Sequence, residues 1–302
     1  MNTISRGKVL RARALLGDYP SSRAIKSGQV RSPLVALEYA DVKTPNRAFK
    51  SVVRELAFDV AELAIVTFLQ AKALGRPLVL MPVRVGSARF QHQCLVYNAE
   101  RGALSPSQLA GRRIGARAYA QTTVTWIRGF LQHDYGVDPK SVRWVTFEDA
   151  HVAEFRDPAW SERAPEGADI MAMLLAGEID AAIIGNELPG DERVRSLIPD
   201  PVSAAMDWSQ RNKAVPINHM MVVQASVSKE HPEAVRELYR IMKESRKAGP
   251  PAPDTGFDMA PYGVEGNRSA LQLAIDYSNE QGLLARQLTV DELFDDVTRA
   301  VN

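Results

Sequence analysis

One cysteine, Cys94, is all the thiol that 302 residues contain. That excludes an intramolecular disulfide framework and any metal site built from several cysteines, and it fits a reducing compartment. An excess of one charge is also missing, since 37 Lys and Arg stand against 36 Asp and Glu, a formal net charge of +1. No global field draws in nucleic acid or an anionic membrane, so the expected partner is a small molecule. Long apolar runs are lacking as well: "ELAIVTFLQAKALG" carries Glu62, Gln70 and Lys72 and is too short for a bilayer. The opening "MNTISRGKVLRARALLGDYP" is basic but holds no apolar core of signal-peptide length, and the expected location is the cytoplasm. There is no G-x-G-x-x-G, P-loop or G-x-S-x-G, which leaves dinucleotide, nucleotide and serine-hydrolase readings without a motif.

What is present is an alternation of strand-like and helix-like segments, predicting an α/β protein with mainly parallel sheet, as one large domain or two lobes. "KVLRARALL" reads as a strand ending at Gly17-Asp18-Tyr19. Thr44-Pro45 opens a helix with Phe49, Val52, Val53 and Leu56 on one face, and "FDVAEL" is a short strand that places Glu62 at its carboxyl end. "CLVYN" is a further strand. Ser105, Pro106 and Gln108 form an S-x-x-Q capping box ahead of the strand "RRIGA". Val124, Ile127 and Leu131 then recur at helical spacing until Gly136 and Pro139 stop the helix. "ADIMAMLLAGEIDAAIIGNELPG" gives helix, Gly177 cap, strand and a loop holding Glu187. "INHMMVVQASV" reads as a buried strand and Pro232 as a helix start. "KAGPPAPDTG" is a turn-rich connector, and two more helices close the chain, the last with a Thr289/Glu292 capping box.

The helix starting near Gln121-Thr122-Thr123 offers unpaired N–H groups and the positive end of its dipole, which suit a carboxylate, phosphate or sulfonate. The same threonines could simply cap their own helix. Among five histidines, His133, His151 and His231 fall at a helix end, in a polar loop and before a helix start, where surface placement accounts for them. His92 beside "CLVYN" and His219 in "INHMMVV" could each be core residues or proton-transfer groups, histidine titrating near neutrality. Asp18 and Glu62 are at strand ends, and Arg89 and Arg268 can grip a carboxylate in a bidentate fork.

In order along the chain, "GDYPSSRAIKSGQV", "FDVAEL", "RFQHQCLVYN", "LAGRRIGARAYAQTTVTWIRGFLQHDYGV", "INHMMVV" and "YGVEGNRSALQLAIDYSNEQGLLARQLTVDELF" together resemble the 4,5-dihydroxyphthalate decarboxylase family. The resemblance implies a two-lobed type II periplasmic-binding-protein-like α/β fold with a ligand cleft between the lobes. Lobe one would be residues 1–98 plus 212–302, and lobe two 99–211. It also implies a carboxy-lyase: non-oxidative decarboxylation of a hydroxylated aromatic dicarboxylate, with 4,5-dihydroxyphthalate giving protocatechuate and CO2 as the expected reaction. The alternative is a solute-binding protein or intracellular sensor for an aromatic carboxylate or sulfonate.

On that resemblance His92, His219 and Glu62 are the expected catalytic residues, and Asp18, Arg89, Gln121, Thr122, Thr123, Glu187 and Arg268 the expected substrate contacts. The aromatic ring serves as electron sink, so no organic cofactor is expected. A divalent ion on His92, His219 and Glu62 is the lesser alternative, unsupported by any H-x-H or H-E-x-x-H spacing. A homo-oligomer is left open.

Overall fold

The computed structural model describes residues 9–86, 89–185, 190–251 and 254–301. Among them the strands are, in chain order, β1 (Leu10–Leu15), β2 (Val35–Tyr39), β3 (Val60–Ala64), β4 (Leu78–Val85), β5 (Leu95–Asn98), β6 (Arg113–Ala116), β7 (Arg143–Thr146), β8 (Ser161–Arg163), β9 (Ala181–Ile183), β10 (Val194–Ser196) and β11 (His219–Gln224). They form two sheets, ordered β2-β1-β3-β11-β4 and β10-β5-β9-β6-β7-β8. The chain divides into two compact units, one of Met1–Ala88, Ile217–Ile275 and Ala285–Asn302, the other of Arg89–Pro216 and Asp276–Leu284. Among the described residues no helix is long and apolar enough to cross a membrane.

In unit one β1 runs parallel to β2 and β3, whereas β11 lies antiparallel between β3 and β4. All five residues of β3 are buried, as a strand covered on both faces should be. Val60, Val79, Met81, Val83, Met221 and Val223 of the sheet pack with Val235, Leu238, Tyr239 and Met242 of the helix Pro232–Lys247, which share one face at 3.6-residue spacing. The register of β3 against β11 sets Glu62 opposite Met221 and Ala64 opposite His219. Side chains alternate along a strand, so His219 and Glu62 are diagonal neighbours on one face.

In unit two β6 pairs in parallel with β7 and β9, and β5 pairs antiparallel with β9 and β10. The helix Thr122–Tyr135 is buried from Thr122 through Leu131, and Gly136 stops it in the left-handed conformation, φ 66°. Trp126 and Phe130 meet the edge of Trp208, from the helix Pro201–Asn212, at ring-centroid distances of 5.8 and 5.1 Å.

Three expectations change. Residues 89–98, expected in lobe one, fall in unit two because β5 draws its hydrogen bonds from β9 and β10. The segment Asp276–Leu284 also joins unit two, where Gln281 bonds to the helix Thr122–Tyr135. The Thr289/Glu292 box does form, with the Thr289 N–H donating to Glu292 Oε2 at 2.7 Å, but it opens a single 3-10 turn, Asp291–Leu293. The closing helix, Asp296–Arg299, is capped by Asp295.

Candidate functional site

Unit one holds a buried carboxylate surrounded by donors. Glu62 is 0% exposed. Its Oε2 accepts the Gly17 backbone N–H at 3.0 Å. Its Oε1 accepts the Tyr19 hydroxyl at 2.7 Å and meets His219 Nδ1 at 2.6 Å. Charge-assisted bonds of this length are among the stronger hydrogen bonds in proteins. Burial first, then the charge of Glu62 and the bond to it, push the Tyr19 phenol above its ordinary range. With Nδ1 donating to the carboxylate, the neutral His219 ring presents Nε2 as an acceptor. The side chain keeps 19% exposure and lies edge-on to Phe49, ring centroids 5.2 Å apart. An imidazole oriented by a carboxylate, with its second nitrogen unbonded among the described residues, can take up a proton and return it.

Unit two holds the helix start predicted from the sequence. Gln121, with φ −66° and ψ 138°, is the N-cap residue and makes no side-chain bond to its own helix. Thr122 and Thr123 are the first two helical residues, both buried, and the ladder begins with Thr125 N–H to the Gln121 carbonyl at 2.9 Å. Neither threonine therefore occupies the cap position. Gln121 Oε1 is buried without a hydrogen-bond partner among the described residues.

The loop ahead of this helix is held by Arg128, a fully buried side chain. Its Nη2 donates to the Tyr119 carbonyl at 2.8 Å, its Nε to Gln281 Oε1 at 2.7 Å, and the guanidinium lies 3.9 Å from the Tyr119 ring centroid. Burial brings Arg128 down to about 10, which leaves it charged at neutral pH. The Gln281 amide in turn donates to the Thr125 carbonyl at 2.9 Å.

The other expected site residues fall elsewhere. His92 is buried in unit two, stacked on Phe130 at 4.0 Å, and neither ring nitrogen has a hydrogen-bond partner among the described residues. Burial, with the charge of Arg211 second, brings its imidazole down to about 3. At neutral pH the ring is uncharged, which removes it as an imidazolium donor. Arg268 is 39% exposed and bound to Glu265 at 2.7 Å and Asp291 at 3.2 Å, so its fork is occupied by the chain's own carboxylates. Asp18 is 66% exposed, 3.6 Å from Arg23. Arg89 has a buried Nε without a partner among the described residues, and Glu187 lies outside them. No group of three or more His, Cys, Asp or Glu side chains among the described residues is placed to hold a metal ion.

Sequence reasoning missed Tyr19 and Arg128. Tyr19 was visible within "GDYPSS" but has no periodicity to assign its side chain. Arg128 had a signal: it follows Val124 by four residues and precedes Leu131 by three, a cation inside the apolar stripe.

No family model matches the chain. Among solved structures it is similar to the aliphatic sulphonate binding protein SsuA from Escherichia coli, with TM-score 0.61 and 14% identity over 95% of this chain and 97% of that one. It is also similar to the desulfurization enzyme DszB, with TM-score 0.56 and 13% identity over 97% and 98%. The two α/β units thus make up a type II periplasmic-binding-protein-like fold, a class that fold alone does not divide into binders and enzymes.

Among curated proteins, the 4,5-dihydroxyphthalate decarboxylase of Comamonas testosteroni is 28% identical over 92% of this chain and 94% of its own length. That of Pseudomonas putida is 31% identical over 64% of this chain and 79% of its own. The chain belongs to the 4,5-dihydroxyphthalate decarboxylase family.

Proposed function

We propose that this protein is a carboxy-lyase that removes one carboxylate from a hydroxylated aromatic dicarboxylate, 4,5-dihydroxyphthalate giving protocatechuate and CO2. The observation that carries the reading is the His219–Glu62 pair, an imidazole held by a buried carboxylate with Nε2 unbonded among the described residues. Each ring hydroxyl of this substrate is para to one carboxylate. Partial loss of the hydroxyl proton drives electron density to the carbon bearing that carboxylate. This carbon takes a proton, the C–C bond breaks, its electron pair restores the aromatic ring, and CO2 departs. One proton is consumed per CO2 released.

His219 Nε2 is the atom through which a proton leaves or enters the substrate, and Glu62 stabilises the imidazolium formed in passing. The ring acts as electron sink, so no nicotinamide, flavin, pyridoxal or thiamine group is required. In unit two the start of the helix Thr122–Tyr135, with the positive end of its dipole and Gln121 and Thr123 beside it, suits an anionic group. The protein acts on a small molecule in the cytoplasm.

The test is incubation of dialysed protein with 4,5-dihydroxyphthalate, following CO2 and protocatechuate. Turnover without additives is the expected result. Tight binding without turnover would make the protein a carrier or sensor, and turnover restored by an organic cofactor would refute the ring-as-sink mechanism. Thr123→Ala and Gln121→Ala are each expected to weaken phthalate binding, read by calorimetry, by about 1 to 3 kcal/mol, as for a lost hydrogen bond to a charged or buried group. Unchanged affinity in both would remove the helix start from the site.

A further inference from the structure

We propose that Tyr19 is the positioning residue of the Glu62–His219 pair, and that the turn "GDYPSS" is built to hold its phenol against Glu62. The inference rests on the reading of His219 as the proton-transfer group. Ser22, fully buried, closes the turn from inside: its Oγ accepts the Tyr19 N–H at 2.9 Å and donates to the Gly17 carbonyl at 2.7 Å. The backbone N–H groups of Ser22 and Arg23 both donate to the Tyr19 carbonyl, at 3.0 and 2.9 Å. Tyr19 is thereby tied through its own N–H and C=O.

The ring then folds back over Gly17. A Cβ at position 17 would come within 2.5 Å of Tyr19 Cε2 and Cζ and 2.6 Å of its hydroxyl oxygen, so any side chain there displaces the phenol. Gly86, with φ +81°, adjoins the opposite side, where a Cβ would stand 3.5 Å from Tyr19 Cζ and 3.6 Å from Glu62 Oε1. Between these glycines the hydroxyl reaches Oε1, the same oxygen that accepts from His219 Nδ1, while the Gly17 N–H reaches Oε2. Both carboxylate oxygens are fixed, which prevents the group from rotating. His219 is therefore kept in one tautomer, with its proton on Nδ1 and an acceptor at Nε2. Without the phenol the carboxylate keeps only the Gly17 N–H on Oε2 and the ring itself on Oε1, so it can swing away from Nδ1, and the tautomer protonated at Nε2 becomes populated.

Nitrogen-15 NMR of the imidazole-labelled full chain reads this directly, with His219 assigned by its loss in His219→Asn. Wild type is expected to show one tautomer, protonated at Nδ1. Tyr19→Phe is expected to show both, with kcat lower by about tenfold or more and KM within about twofold. Gly17→Ala, which evicts the ring, is expected to reproduce both effects and to add nothing in a Tyr19→Ala background. A single tautomer retained in Tyr19→Phe would overturn the proposal whatever the rate. A chain that turned over no substrate would refute the decarboxylase reading, while the tautomer measurement would still decide the role of Tyr19.

Discussion

Replacing His219 by asparagine is expected to slow single-turnover decarboxylation by about 10²- to 10⁴-fold while changing substrate affinity far less. A positioned acid or base acts in the transition state, whereas a neutral contact to bound substrate stabilises ground and transition states alike. Asparagine can still donate a hydrogen bond toward Glu62 but does not titrate near neutrality, which separates proton transfer from packing. Glu62→Gln is expected to slow the same step, because the imidazolium formed at His219 loses its buried counter-charge at 2.6 Å. Rapid-quench measurement of CO2 release, with calorimetry for binding, checks both. Near-wild-type chemistry in His219→Asn would move proton transfer to another group, and weakened binding with an unchanged chemical step would make His219 a substrate anchor.

The other histidine of the family motif should behave in the opposite way. Burial brings His92 from an ordinary value near 6.5 down to about 3. The unfolded chain therefore takes up the proton at a higher pH than the fold does. The stability contributed by the neutral buried ring is complete above about pH 6.5 and is lost as the pH falls toward 3, by at most about 1.4 kcal/mol per unit. His92→Phe keeps an aromatic ring against Phe130 and Trp208 and abolishes this titration. The variant should match wild type in turnover at pH 7.5 and exceed it in unfolding free energy by a growing margin at pH 6, 5 and 4, measured by urea denaturation. The difference between the two proteins is the readout, since carboxylates titrate equally in both. A pH-independent difference would contradict the buried neutral ring, and a hundredfold fall in rate would restore His92 to the chemistry.

These two histidines show where sequence reading stops. His92 and His219 had the same credentials, each a lone histidine beside an apolar strand within a family motif. Their difference lies in their neighbours. His219 finds Glu62, 157 residues away in the chain, whereas His92 finds Phe130 and Trp208. Arg268 was equally plausible as an anion clamp until its fork proved filled by Glu265 and Asp291, the second of them 23 residues further on.

By itself the sequence determined the α/β alternation, the helix start at Gln121-Thr122-Thr123 with its stop at Gly136, the buried strand β11, the helix start at Pro232, and the family. The family rests on the order of the matching motifs along the whole chain; the rest depend on local spacing, where a period of 2 or 3.6 and a cap residue act within a few positions. Only the tertiary structure decided that β11 enters antiparallel between β3 and β4, that β5 belongs to the second sheet, and that Tyr19 closes on Glu62. Periodicity records which face of a strand is apolar but not which strand lies beside it. The pairing of β3 with β11 sets the register that makes Glu62 and His219 diagonal neighbours, and a slip of one residue would have turned the two side chains to opposite faces.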